Sequence, residues 1–471
     1  MTGHEPPGMG RETPRWLIGA FVLSLVLVNP YVRGDGNGYY AWLVSCVIDH
    51  DADFTNQYRH GDRLFQTLMF EPDGRPRAVM ITATGHLENQ WSVGPAMLWA
   101  PWFLVAHVFV HLARLCGSTM PADGYAWPYR WACAIGTATY GFLALVLARR
   151  CAAIAGQARG ALIATLSMWA ASPLPVYQYF IPFHVHALAA FAVAWFVWMW
   201  LSRRPLERPA QWWAWGAVGG VMTVVYQLNA VLLLIAVWQL LVMWRRVGVA
   251  PAAAAATRFS AMAAVVWMPQ LVGKAIVYGT PWTTGYHDRF FWMSPRLWQT
   301  AFSTEHGLFT WTPIAAIAVC GFVLAARERR ELVVAGVSAA VFFFAVASYQ
   351  NWHGQSSFGN RFFVSLIVLA VIGVACLATR LAARGRLARA AAVTGLTVLV
   401  VWNAGLAFQW GTNLVPNRGP VDFRVVARNQ VTIVPSEAAR FLGEYFRSRQ
   451  GVAQRLEQQD ERERRDYRLI R

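Results

Sequence analysis

The sequence predicts an all-α polytopic membrane protein, and three observations carry that reading. Of 471 residues, 56 % are apolar or aromatic and only 14 % are charged, against roughly 25 % charged in an ordinary soluble domain. Apolar runs of about 17–25 residues, the length a helix needs to cross a bilayer, recur along the chain. Twenty-four Trp are present, a ring type that membrane proteins concentrate at their two water interfaces. Together these exclude a soluble globular enzyme. Forty-one Lys and Arg against 24 Asp and Glu give a net charge of +17, with Lys274 the only lysine. Cationic loops held on the cytoplasmic side account for such an excess, and no basic nucleic-acid motif accompanies it. Six scattered Cys form no CxxC or CxxH, so neither a zinc site nor a haem attachment is suggested, while a Cys46–Cys116 pair stays open.

The first apolar run, 16–32, follows Arg11 and Arg15 and ends in NPYVRGDG without a small-residue cleavage pattern, so it reads as a retained first span behind a cytoplasmic segment 1–15. Further runs lie at 92–113, 129–148, 160–176, 183–201, 212–226, 228–244, 259–278, 307–326, 332–348, 362–379 and 391–408. Five loops, 149–159, 203–208, 245–258, 327–330 and 380–389, hold sixteen Arg, among them Arg203 and Arg204. The alternating loops hold only Arg289, Arg296 and Arg361, a positive-inside bias that puts the Arg-rich set in the cytoplasm. That assignment has the right parity only if one run does not cross. The segment 92–115 is chosen, because His107, His111 and Arg114 fall at i, i+4 and i+7 and line one polar stripe, as in a helix lying along the interface.

The expected architecture is therefore about 11 transmembrane helices within 16–408, N-terminus inside and C-terminus outside. Residues 33–128 form a large external first loop carrying the membrane-parallel helix 92–115. Residues 409–471 form an external polar tail whose mixed-charge end, RLEQQDERERRDYRLIR, reads as a solvated helix.

Polar groups collect on the expected external side, in RGDGNGYY, DHDADFTNQY, TGHLENQW, YQYFIPFHVH, GYHDRFF, STEHGLF and NWHGQSSFGNRFF, and eight of the 11 His lie in or beside these segments. Asp35 leaves the first span between Gly34 and Gly36, where a carboxylate can serve as general base or can cap a helix expected from Tyr39. Asp53, in DADF, becomes a second carboxylate beside it if the loop folds back. A divalent metal at that pair needs further ligands, for which His184 and His186 are candidates, and the metal stays undecided. Glu305 and His306 join a polar cavity. Lys274 lies inside the run 259–278, where a charge is either functional or snorkels to the interface.

An acidic residue just after the first span, a long external loop with a membrane-parallel helix, and a span opening with Tyr129-Arg130 resemble the GT-C superfamily of integral-membrane glycosyltransferases. The likeness is to its bacterial branch related to protein O-mannosyltransferases and aminoarabinose transferases. GDGNGYYAW, HGLFTWTP and WHGQSSFGNRFF carry it locally, and the layout covers roughly residues 10–410. The family's acidic pair Asp-Glu stands here as Asp35-Gly36. The resemblance implies transfer of a sugar from a polyprenyl-phosphate donor to a glycan, lipid or protein hydroxyl at the outer face of a bacterial plasma membrane. Asp35 is then the base, and Arg130, Lys274, Arg289, Arg361 and His353, with His306, hold the leaving phosphate. The rival is a polytopic transporter or flippase of lipid-linked glycans, which would show internal repeats and midplane charges; no repeat is evident.

Overall fold

The computed structural model describes residues 14–202 and 208–470. Expectations for residues 1–13 and for Arg203 and Arg204 lie outside the described residues. Among those described the chain is helical, with no β-strand and three isolated bridges. The helices are α1 (Arg15–Ser24), α2 (Asp35–Val44), α3 (Thr55–Arg59), α4 (Arg63–Met69), α5 (Gly94–Leu115), α6 (Trp127–Ile154) and α7 (Ala158–Ala170). There follow α8 (His186–Ser202), α9 (Pro209–Val225), α10 (Leu234–Val247), α11 (Val249–Tyr278), α12 (Leu297–Phe302), α13 (Leu308–Trp311) and α14 (Ile314–Glu328). The last are α15 (Leu332–Ser348), α16 (Ile367–Ala383), α17 (Arg386–Gly411), α18 (Phe423–Thr432), α19 (Val434–Arg447) and α20 (Arg449–Ile470).

Each run expected to span holds a helix: α1, α6 to α11 and α14 to α17. Among the described residues six helical segments are long and apolar enough to cross a membrane: Gly94–Leu115, Trp127–Ile154, Gln227–Val247, Val249–Tyr278, Arg361–Ala383 and Arg386–Gly411. Arg15–Leu27, His186–Ser202 and Leu332–Ser348 are apolar but shorter. The six include α5, the segment that the polar stripe assigned to the interface. Only the first residue of its stripe meets another helix: His107 Nδ1 lies 2.8 Å from the Tyr129 hydroxyl, His111 Nε2 lies 3.1 Å from His107 Nε2, and His111 and Arg114 are exposed. Trp99 donates to Thr137 Oγ1 at 2.8 Å and Tyr140 to the Leu98 carbonyl at 3.0 Å, so α5 runs antiparallel to the first half of α6. The short helix α2 holds the chain on both sides of α5. Trp42 donates to the Trp91 carbonyl at 2.9 Å and Tyr40 to the Gly124 carbonyl at 2.6 Å.

Small residues set the core, as expected where close backbone approach supplies the packing between membrane helices. A Cβ on Gly160 of α7 would stand 2.2 Å from the Ala375 carbonyl of α16, and one on Gly321 of α14 would stand 2.0 Å from that of Gly373. Gly216 of α9 meets Phe259 of α11 in the same way, at 2.3 Å. Helix α16 is thereby clamped between α7 and α14.

The loops sort into two groups. Glu328 accepts from Arg380 at 2.6 Å and from Gln157 at 3.1 Å, and Arg329 donates to the Ile154 carbonyl at 3.0 Å, so three of the Arg-rich loops meet at one end. Arg361 begins the segment that α16 continues, about 28 Å from Arg380 at 1.5 Å per residue, and the other polar segments gather around it.

The C-terminal tail is helical as expected, but one face of it is docked on the rest of the chain. Arg418 forks onto Asp460 at 2.6 and 3.2 Å, and Ser356 donates to the same carboxylate at 3.1 Å. Glu463 accepts the Asn417 and Arg418 amides at 2.8 and 2.9 Å. Arg449 donates to the Val26 carbonyl at 2.8 Å and lies against Trp131, and Tyr445 donates to the Leu27 carbonyl at 2.5 Å. Val452, Ala453 and Leu456 are buried. A mixed-charge sequence conceals this docking because Asp460 and Glu463 find their partners more than forty residues away. All six cysteines are free, so Cys46 and Cys116 do not pair.

Candidate functional site

The segment GDGNG, 34–38, is shaped by what each residue meets. Gly34 has φ +54°, a left-handed conformation that costs glycine least, and the His184 ring covers it. A Cβ on Gly36 would stand 2.7 Å from Phe183 Cβ, and one on Gly38 1.9 Å from the Trp91 ring. Helix α2 therefore starts at Asp35 rather than at Tyr39, with the Asp35 carboxylate in its first turn, where the helix dipole favours a negative charge. The turn is pinned by Asp62, a buried carboxylate that sequence reasoning did not select. One of its oxygens accepts from the Gly34 amide at 2.8 Å and Asn37 Nδ2 at 2.6 Å, and the other caps α4 through the Phe65 amide at 3.2 Å.

Arg361 arrives from the far end of the sequence. Its NH1 lies 2.9 Å from Asp35 Oδ2 and 3.3 Å from His184 Nδ1. His184 in turn bonds the Arg33 backbone, so the neutral ring carries its proton on Nε2. The Asp35 side chain remains 33 % exposed, enough for a ligand to reach it. Burial acts to raise the Asp35 carboxyl, but the Arg361 guanidinium, then His184 and Trp91, outweigh it and hold the carboxyl below its ordinary value. Burial pushes His184 down to about 3, so it stays neutral beside the ion pair.

Aromatic groups close the surroundings. His186 packs 4.8 Å from Tyr177, 5.9 Å from Tyr226 and 6.5 Å from Phe362, ring centre to ring centre. Tyr286 hydrogen-bonds Tyr39 next to Asp35. The Arg361 Nε and His186 Nδ1 are buried with no hydrogen-bond partner, so the site carries unmet polar demand beside the ion pair.

Beside it, His306 is fully buried with φ +60° and donates from Nδ1 to the His353 carbonyl at 2.8 Å. His353 Nδ1 accepts the Gln355 amide at 3.1 Å and lies 3.7 Å from Glu305. These three residues brace the 353–358 turn from which Arg361 extends.

The structure thus joins Asp35, Arg361, His184 and His186, with Glu305, His306 and His353 adjoining. It does not join the others. Asp53 is exposed and spent on its own turn, accepting the Thr55 amide at 2.9 Å and the Thr55 hydroxyl at 2.7 Å, a local competition typical of Asp before Thr. None of these contacts joins it to Asp35. Lys274 neither snorkels nor reaches Arg361: it is fully buried, donating to the Asn89 and Gln90 carbonyls at 2.7 and 3.2 Å, and so fixes the strand of chain that carries Trp91. Arg130 lies by Tyr40, on α2 beyond the ion pair. Arg289 is exposed, and its backbone pairs with Gln350.

A metal does not suit this set. Among the described residues no three His, Cys, Asp or Glu side chains gather in ligand geometry, and a guanidinium already occupies the cation position on Asp35. No family model, curated protein or solved structure matches the chain.

Proposed function

We propose that this protein is a membrane glycosyltransferase that moves a sugar from a polyprenyl-phosphate donor to an acceptor hydroxyl at the outer face of a bacterial plasma membrane. The observation that carries the proposal is the Asp35–Arg361 pair at 2.9 Å, accessible on one edge and seated where the chain leaves α1. The reaction needs a base for the acceptor proton and a cation for the leaving phosphate, and these two groups supply both. The acceptor oxygen passes its proton to Asp35 as it bonds the anomeric carbon. The bond from that carbon to the phosphate oxygen breaks on the opposite side, inverting the sugar, and the charge that develops on the phosphate falls to Arg361.

The ion pair also orders the events. While Arg361 neutralises Asp35, the carboxylate is a weak base. A donor phosphate that attracts the guanidinium removes the charge depressing the carboxyl, and the base strengthens only once the donor is in place. In this reading α1, α6 to α11 and α14 to α17 are eleven spans, and α5 packs along the outer half of α6 without crossing. The contacts of α2 with both flanks of α5 favour that arrangement. The grouping of Arg-rich loops at the end remote from Arg361 favours a cytoplasmic face there.

The test is purified protein in vesicles with a panel of polyprenyl-phospho-sugars, following release of polyprenyl phosphate. Release by the parent and its loss in a folded Asp35→Asn variant is the expected result. Equal release by Asp35→Asn removes Asp35 as the base.

A further inference from the structure

One patch outside the ion pair is built of exposed aromatic rings that no packing explains. In the 279–302 segment Trp292 is 51 % exposed, Phe290 44 % and Met293 98 %, and Phe344 of α15 beside them is 37 % exposed. These rings form a continuous file. Trp292 lies 6.1 Å from Phe344, Phe290 stacks on Trp292 at 4.9 Å, and Tyr349 lies 5.2 Å from Phe290. Phe362 follows at 6.0 Å from Tyr349, with the Arg361 guanidinium 5.9 Å from its ring. The file therefore begins in the open and ends, buried, at the cation. At its outer end Val333, Val337 and Val341 of α15 are exposed at helical spacing below Phe344, so the file continues an apolar helix face. Arg296 over Phe291 and the exposed Arg289 add positive charge near its mouth.

We propose that this file, Trp292, Phe290, Phe344, Tyr349 and Phe362, is the seat of the apolar chain of a long-chain lipid phosphate whose head group meets Arg361. An amphiphile with one anionic end matches a surface that is apolar along its length and cationic at its buried end. Flat aromatic faces suit a chain of methyl-branched isoprene units, which they hold by dispersion. The site rests on the donor class of the transferase reading but not on transfer itself.

The experiment is photolabelling of the full-length protein in nanodiscs with a polyprenyl phosphate bearing a diazirine in its chain, the adducts being mapped by mass spectrometry. Adducts at 290–293 and Phe344, competed by unlabelled polyprenyl phosphate, are expected. Replacing the probe by the matching prenol, or Arg361 by Gln, should lower them about tenfold, the worth of a charge-assisted hydrogen bond. Competition by diacylglycerol phosphate as strong as by polyprenyl phosphate keeps the seat and widens its ligand to any long-chain monophosphate. Equal labelling by prenol, or adducts spread evenly over all exposed helix faces, means bulk bilayer contact and overturns the proposal. Because labelling needs no turnover, a protein that labels but transfers no sugar refutes the transferase reading and leaves the lipid site standing.

Discussion

Asp62 is the residue whose replacement tests most sharply how the reactive carboxylate is held. It is buried and accepts three hydrogen bonds, from Gly34, Asn37 and Phe65. In Asp62→Asn one oxygen remains. The amide gains most by keeping that oxygen on Gly34 and Asn37 and turning its NH2 toward the Phe65 amide, so the cap of α4 is lost and the charge assistance with it. That should cost about 1–3 kcal/mol. Asp62→Ala leaves all three donors unpaired and should cost about 3–6 kcal/mol. The same bonds fix Gly34 in its left-handed turn, so the Asp35 carboxylate also drifts, and an ångström of misplacement is worth about a hundredfold in rate. The assays are the thermal unfolding midpoint in detergent and the rate of polyprenyl-phosphate release. Parent stability within about 0.5 kcal/mol and parent turnover in Asp62→Ala would refute the argument.

Three further predictions follow from neighbouring contacts. His184 and His306 are buried and held near about 3, so below their ordinary value of about 6.5 the unfolded chain takes up protons that the folded one refuses; stability should fall by about 2 kcal/mol per histidine between pH 7 and 5. Asp35, being lowered, keeps its contribution through that window, losing it only at more acidic pH. His306→Asn, which suits the left-handed backbone, should abolish about half of the acid sensitivity in pH-dependent melting; an unchanged slope would mean that His306 does not resist protonation. Lys274→Met should lower stability by about 1–3 kcal/mol by orphaning two carbonyls while leaving lipid-phosphate affinity within twofold, by about the error of such assays; a tenfold loss of affinity would instead put Lys274 on the phosphate. Asp460→Ala strands the Arg418 guanidinium and should cost about 3–5 kcal/mol, read as rapid tryptic release of the α18–α20 tail; an equally protected tail would show that this pair does not anchor it.

Much of the helical layout was legible because spans are written in composition: a bilayer demands long apolar runs, and each such run became a helix. Asp35 and Arg361 were legible for a related reason, since a carboxylate between glycines and a lone Arg in an otherwise Arg-poor loop stand out against apolar surroundings. Their pairing was not, because 325 intervening positions separate them and only the tertiary fold joins them. Asp53 matches a ligand in residue type, and its contacts are local, with its hydroxyl neighbour Thr55. Asp62 carried the signal of an N-cap, Asp just before an apolar-periodic turn, and the second role, bonding Gly34, had no local trace. Lys274 was marked as unusual by sequence, yet its partners are backbone carbonyls, which no sequence pattern advertises. The tail was misjudged on net polarity: Tyr445, Val452 and Leu456 bury one stripe of helices whose other faces are charged.

Where a lipid phosphate settles is decisive for the role of the Asp35–Arg361 pair. A cryo-electron microscopy structure of the protein with a bound polyprenyl phosphate measures this directly. The account predicts a phosphate oxygen at hydrogen-bonding distance, about 2.8 Å, from the Arg361 guanidinium, with the Asp35–Arg361 contact opened beyond its present 2.9 Å. A phosphate seated elsewhere, with that contact intact, would contradict it.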